Sequence, residues 1–138
     1  MRFTCELPDH AAACEMVLDA LVEVARVEIR AGLVPPFPHD IKNADGGNGI
    51  RYKLEPAGEE DWKLPHGVLR DGWGDCEDLA LWVAAGLRET GEDPDAYVRI
   101  VRTGRGKLHA IVQRGDGGHE DPSIDLMTPE DLKRYTDA

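Results

Sequence analysis

Three residues carry the chemistry this sequence offers: Cys76, His109 and Asp121. Cys76 stands in Gly72-Trp73-Gly74-Asp75-Cys76-Glu77-Asp78-Leu79-Ala80, where a glycine-rich turn gives way to a helical pattern. A thiol at a helix N-terminus sits at the positive end of the macrodipole, which favours the thiolate. A thiolate that attacks a carbonyl needs an imidazole to hold its proton and return it to the leaving group. It also needs a carboxylate or amide to fix the tautomer and position of that imidazole. His109, in Leu108-His109-Ala110-Ile111-Val112, is the candidate base. Strand alternation turns it away from Leu108, Ala110 and Val112, to the side of Ile111. Asp121, in Glu120-Asp121-Pro122-Ser123, follows after one turn, where it would be a cross-strand neighbour of His109. Asp125 competes for the orienting role.

Each residue alone has an ordinary structural explanation. A strand histidine is commonly a satisfied polar residue, and an aspartate before proline is commonly a turn residue. The ordered set of Cys at a helix start, His on a strand and Asp-Pro after the next turn is far more specific than any member. Three acids, Asp75, Glu77 and Asp78, flank the sulfur and oppose its ionisation. His109 must then carry most of the activation.

The elements that position these residues follow from periodicity and punctuation. Cys14, Val17, Leu18, Leu21, Val24, Ala25 and Ile29 recur at steps of three and four, which predicts an amphipathic helix over about residues 10–31. Asp9 is its expected N-cap and Gly32 its C-cap, and Pro35-Pro36 bars continuation. Cys14 falls on the buried face as a small hydrophobe. Residues 35–72 read as irregular, with a short strand at Ile50–Leu54. Asn43 to Gly49 lacks the acids that a calcium loop requires. A second helix is expected from Cys76 to Arg88, with Asp75 as N-cap, Asp75 and Asp78 as a capping-box-like pair, and Gly91 past its end. Its apolar face is Leu79, Ala80, Val83, Ala84 and Leu87, with Cys76 alongside. Ala96–Thr103 and Leu108–Gln113 read as strands joined by Gly104-Arg105-Gly106. His119–Ile124 is expected to extend the sheet after the turn at Gly115–Gly118, and Thr128-Pro129 to open a last helix. Helices followed by strands give an α+β fold, in one domain spanning 1–138.

Composition sets the outer bounds. The chain has 138 residues and a net charge of -11, from 16 basic and 27 acidic residues. That balance lacks the basic footprint that nucleic acid or an anionic membrane requires, so neither is expected as a partner. Three widely spaced cysteines, Cys5, Cys14 and Cys76, make no disulfide framework. There is no signal-like apolar start and no run of 18 apolar residues. A reducing cytoplasm is therefore expected, in which Cys76 is a free thiol.

Gly74-Asp75-Cys76-Glu77-Asp78-Leu79-Ala80, Leu108-His109-Ala110-Ile111-Val112 and Asp121-Pro122-Ser123 together resemble the transglutaminase-like branch of the papain-like thiol enzymes, over roughly residues 60–127. The resemblance is greatest to small stand-alone members carried by tailed bacteriophages and bacteria. It implies a central Cys-bearing helix packed on a small antiparallel sheet, here with an additional N-terminal helix. It also implies Cys76 as nucleophile, His109 as general base and acid, and Asp121 as orienter, with the Cys76 N–H as one oxyanion donor. The second donor is open, with the Trp73 or Trp62 indole N–H as candidates. The activity implied is acyl transfer at an amide bond of a protein or peptide substrate: a cysteine peptidase or amidohydrolase, in the host cytoplasm or virion if phage-encoded. No cofactor and no metal is expected. The alternatives are a non-catalytic assembly module that keeps the fold, and a protein-crosslinking enzyme. A metal site from Cys76, His109, Asp121 and His66 is disfavoured by spacings that lack the paired steps usual for zinc. His39, His66 and His119 carry no assigned role.

Overall fold

A computed structural model of the chain describes residues 3–4, 11–41, 49–53, 61–102, 108–127, 130 and 133. In chain order the elements are β1 (Phe3–Thr4), α1 (Ala11–Arg30), a 3-10 turn (Pro38–Asp40), β2 (Arg51–Tyr52), β3 (Asp61–Trp62) and α2 (Pro65–Asp71). They continue with β4 (Trp73–Gly74), α3 (Cys76–Thr90), β5 (Tyr97–Arg102), β6 (Leu108–Gln113), β7 (His119–Glu120) and α4 (Pro122–Asp125). The fold is α+β: four α-helices among the described residues, with a three-stranded antiparallel sheet in the order β5-β6-β7. None of the described helices is long and apolar enough to cross a membrane.

Helix α1 forms as its apolar period requires. Cys14, Leu18, Leu21, Val22 and Ala25 are buried. Val24, assigned to the core by spacing, is 41% exposed, and Val22 takes its place. The reason is angular: Val22 lies four residues past Leu18 on the buried face, whereas Val24 is turned well away from it. The helix ends where Gly32 takes φ 75°. There the N–H of Gly32 bonds Ile29 O and that of Leu33 bonds Glu28 O, closing the exposed carbonyls. The expected cap Asp9 lies outside the described residues.

Helix α3 is the centre of the molecule. It was expected to be amphipathic, yet every residue from Asp78 to Leu87 is buried. One side, with Ala80, Leu81, Val83, Ala84 and Leu87, joins α1 and the sheet residues Val98, Ala110 and Val112. The other side, Leu79 and Trp82, meets Val34, Ile50, Val68 and Leu126. A helix that is apolar all round is a buried helix, and the unbroken run Leu79 to Leu87 is the sequence sign of it. Trp82 is wholly buried, and its indole N–H donates to Pro35 O at 2.9 Å. Gly86 is required by close approach, since a Cβ there would stand 2.0 Å from Pro36 O.

Strand β6 lies in the middle of the sheet. It pairs antiparallel with β5 from Tyr97↔Gln113 to Arg102↔Leu108. It pairs with β7 through Val112↔Glu120 and Gln113↔His119. The expected Gly104-Arg105-Gly106 loop lies outside the described residues. The Gly115–Gly118 turn forms, with Arg114 N–H bonded to Gly118 O and Gly117 at φ 93°.

Three expectations are corrected. Residues 35–72 contain α2 as well as irregular backbone. At seven residues it is too short to show a helical period, though Pro65 at its first turn and Gly72 (φ 78°) past its end are the punctuation of a helix. The strand expected at Ile50–Leu54 is shorter among the described residues: Arg51 and Tyr52 pair in parallel with Trp73 and Gly74, and Leu54 lies outside them. The strand expected at His119–Ile124 stops at Glu120, because Asp121 caps α4 and Pro122 starts it. The cap and first turn expected at Thr128-Pro129 lie outside the described residues; Glu130 and Lys133 are helical.

Candidate active site

The start of α3 is held by reciprocal carboxylates. The Asp78 N–H donates to Asp75 Oδ1 at 3.1 Å, and the Asp75 N–H donates to Asp78 Oδ2 at 3.2 Å. This is the capping box that the spacing predicted. The second Asp78 oxygen accepts the Lys63 N–H at 2.6 Å, so the box also fixes the segment that leads into α2. A Cβ on Gly74 would lie 3.1 Å from the Asp78 Cβ, so the residue before the cap must be small.

Cys76 is therefore placed by a rigid turn. It is only 7% exposed and is a free thiol. Its Sγ donates to Glu77 Oε2 at 3.3 Å and also accepts from the Ala110 N–H on β6. Burial pushes the thiol well above the usual cysteine range, and the Glu77 and Asp75 carboxylates push the same way; the Ala110 N–H opposes them. The helix dipole does not prevail here, in keeping with the acids that flank the sulfur.

His109 is the residue before Ala110 and is itself buried. Its Nε2 meets Asp121 Oδ2 at 2.7 Å, with both side chains largely out of solvent. Asp121 holds two donors, because its Oδ1 accepts the Ser123 N–H at 3.2 Å as the cap of α4. Register explains the meeting. Continuing the β6–β7 pairing by one step sets Asp121 opposite Ile111, on the His109 face of the sheet and diagonal to it. Asp121 thus reaches His109 from a helix cap just past the strand.

Of the three residues singled out from sequence, His109 binds Asp121, and Cys76 meets the same strand at the Ala110 N–H. Asp125 does not join them. It is exposed and lines a separate groove of about 360 Å³ with Val83, Leu87, Pro122 and Leu126. Val83 is seven residues along α3 from Cys76, roughly 10 Å at the helical rise. His66 is also elsewhere, with its ring Nδ1 and backbone N–H on Glu28 of α1 at 2.9 Å each. His39 stacks on Phe37, and His119 is exposed. Trp73 lies beneath the Lys63 ammonium, 3.1 Å from the ring centroid, and Trp62 is buried in the core. Among the described residues no group of three His, Cys, Asp or Glu is arranged to hold a metal ion.

Two partners of the sulfur are not legible in the sequence. The sequence shows Glu77 as a charge beside the sulfur, not as the acceptor of the thiol hydrogen bond, because adjacency in sequence does not fix a rotamer. The Ala110 N–H carries no side-chain signal at all. Compared with family models, curated proteins and solved structures, the chain matches none.

Proposed function

We propose that the chain is a thiol-dependent acyl-transfer enzyme of the papain-like, transglutaminase-like kind. Cys76 is the nucleophile, His109 the base and acid, and Asp121 the orienter. The observation that carries this is the 2.7 Å His109–Asp121 pair, on the strand residue next to the one whose N–H meets the Cys76 sulfur. With Nε2 on the carboxylate, Nδ1 is the nitrogen that takes the thiol proton. The sulfur then adds to an amide carbonyl, forming the C–S bond. The C–N bond breaks, and the amine leaves with the proton from His109. Water resolves the thioester in a peptidase or amidohydrolase, the outcome we favour. A lysine amine in its place gives crosslinking. The substrate is a protein or peptide, and the resemblance to small phage and bacterial members puts the enzyme in a bacterial cytoplasm or virion.

The test compares wild type with Cys76→Ala and His109→Ala on a panel of peptide amides, following amine release. Loss of turnover in both variants is expected; activity that survives Cys76→Ala would refute the triad. The buried thiol favours a second reading, a module that keeps the fold without turnover. Alkylation of Cys76 against pH separates the two. An ordinary or raised midpoint that is indifferent to His109→Ala marks the module, and dependence on His109 marks the enzyme.

A further inference from the structure

We propose that Glu77 is a latch on the nucleophile: in the resting protein its carboxylate takes the hydrogen bond of the Cys76 thiol, and only when it swings away does the proton pass to His109. This rests on Cys76 being the nucleophile of the proposed triad. The Sγ···Oε2 distance is 3.3 Å. Glu77 sits at the second position of α3, half-buried, while Asp75 and Asp78 are buried and committed to the cap. Among the described residues no lysine, arginine or histidine forms an ion pair with Glu77.

The groups around the sulfur leave Glu77 little else to do. From its own element and cap come Asp75, Glu77 and Asp78, and from β6 the Ala110 N–H; the His109–Asp121 pair begins one residue along that strand. Lys63, from the segment before α2, is engaged by Asp71 and by the Trp73 ring. The Asp75 carboxyl, which burial keeps protonated well above the usual carboxylate range, also hydrogen-bonds Glu77. Glu77 therefore stands between two hydrogen-bond partners, the Asp75 carboxyl and the Cys76 thiol. A carboxylate on the thiol stabilises the neutral sulfur and disfavours the thiolate. When Glu77 rotates toward solvent the like charge is withdrawn, the proton moves from Sγ to Nδ1 of His109, and the thiolate forms beside the Ala110 N–H. No atom is gained or lost in the opening step, and the sulfur stays inert until it occurs.

The experiment is the rate of Cys76 alkylation by iodoacetamide from pH 6 to 10, read by peptide mass spectrometry so that the other cysteines do not interfere. It compares wild type, Glu77→Gln, His109→Ala and the double variant, with circular dichroism to confirm the fold. Glu77→Gln is expected to move the alkylation midpoint down by at least one pH unit and to speed reaction at neutral pH about tenfold. An anionic methanethiosulfonate should gain more than a neutral one, which a merely structural change would not produce. Slower alkylation in Glu77→Gln would make Glu77 a base, and an unchanged midpoint would make it a bystander; either overturns the latch. The double variant separates the two proposals. If removing His109 leaves the gain from Glu77→Gln intact, the proton does not pass to His109 and the triad fails, and only the hold of Glu77 on the neutral thiol stands. If His109→Ala slows alkylation while Glu77→Gln does nothing, the triad stands and the latch fails.

Discussion

Asp121 binds two donors with one carboxylate, the ring of His109 and the N–H of Ser123. Replacing it with Asn should keep the cap oxygen but remove the charge that, in the proposed triad, stabilises an imidazolium. Turnover is expected to fall by about a hundredfold or more while the melting temperature moves little, by analogy with orienting carboxylates in other triads; steady-state kinetics and calorimetry read the two effects apart. The buried acids at the start of α3 make a second prediction. Burial raises Asp78 to about 7, and raises Asp75 well above the carboxylate range. The folded state therefore holds more protons than the unfolded one, and stability falls as pH rises from about 4 through 7. Asp71 and Glu89 are lowered to about 2 by their arginine partners, and their contribution is lost as pH falls through that value. The melting temperature should therefore be higher at pH 5 than at pH 8. Asp78→Asn should flatten that difference; an unchanged slope in the variant would locate the effect elsewhere.

At the scale of elements, α3 decides the geometry, because it is packed on both sides and begins at the thiol. Gly86 is where it meets the Pro35–Phe37 turn most closely. Alanine there would gain roughly 1 kcal/mol of helix propensity. It would also place a methyl against the Pro36 carbonyl and within 2.9 Å of the Phe37 ring. Overpacking of this kind typically costs about 1–3 kcal/mol, and contact with backbone belongs at the upper end. Gly86→Ala should therefore lower the urea midpoint despite the better helix former. The ends of α3 were legible in the sequence because caps are local: the Asp75–Asp78 box and Gly91 act within a few residues. Its burial all round is not legible in the spacing of Leu79, Ala80, Val83, Ala84 and Leu87, which describes a single face, but in the unbroken apolar run from Leu79 to Leu87. Helix α2 is not legible in the sequence, because seven residues make no period.

For the molecule as a whole, α1 is attached to α3 by two kinds of contact. Outside, Arg26 and Arg30 bind Glu89, and Arg88 binds Asp19 and Glu23. Inside, Leu18, Val22 and Ala25 are fully buried. Exposed ion pairs typically contribute about 0–1 kcal/mol and are screened by salt, whereas Leu→Ala in a core costs about 2–5 kcal/mol. Leu18→Ala should therefore destabilise several-fold more than Glu89→Gln, and only the latter effect should shrink in high salt. Chemical denaturation at two ionic strengths tests both.

What the sequence determined by itself was whatever depends on near neighbours: the N-terminal helix, the capped start of α3, strand β6 over Leu108–Gln113, and the residue types of a thiol, an imidazole and a carboxylate. Only the tertiary structure decided which of them meet. Asp121 was chosen over Asp125 by the register of β7 and the turn into α4, which carry one carboxylate to His109 and the other to a separate groove. The state of the sulfur was decided in the same way. Sequence placed Cys76 at a helix dipole that favours the thiolate; folding buried it, set it on the Ala110 N–H and turned Glu77 onto it. Burial and the orientation of a neighbouring charge are properties of packing, and here they outweigh the dipole.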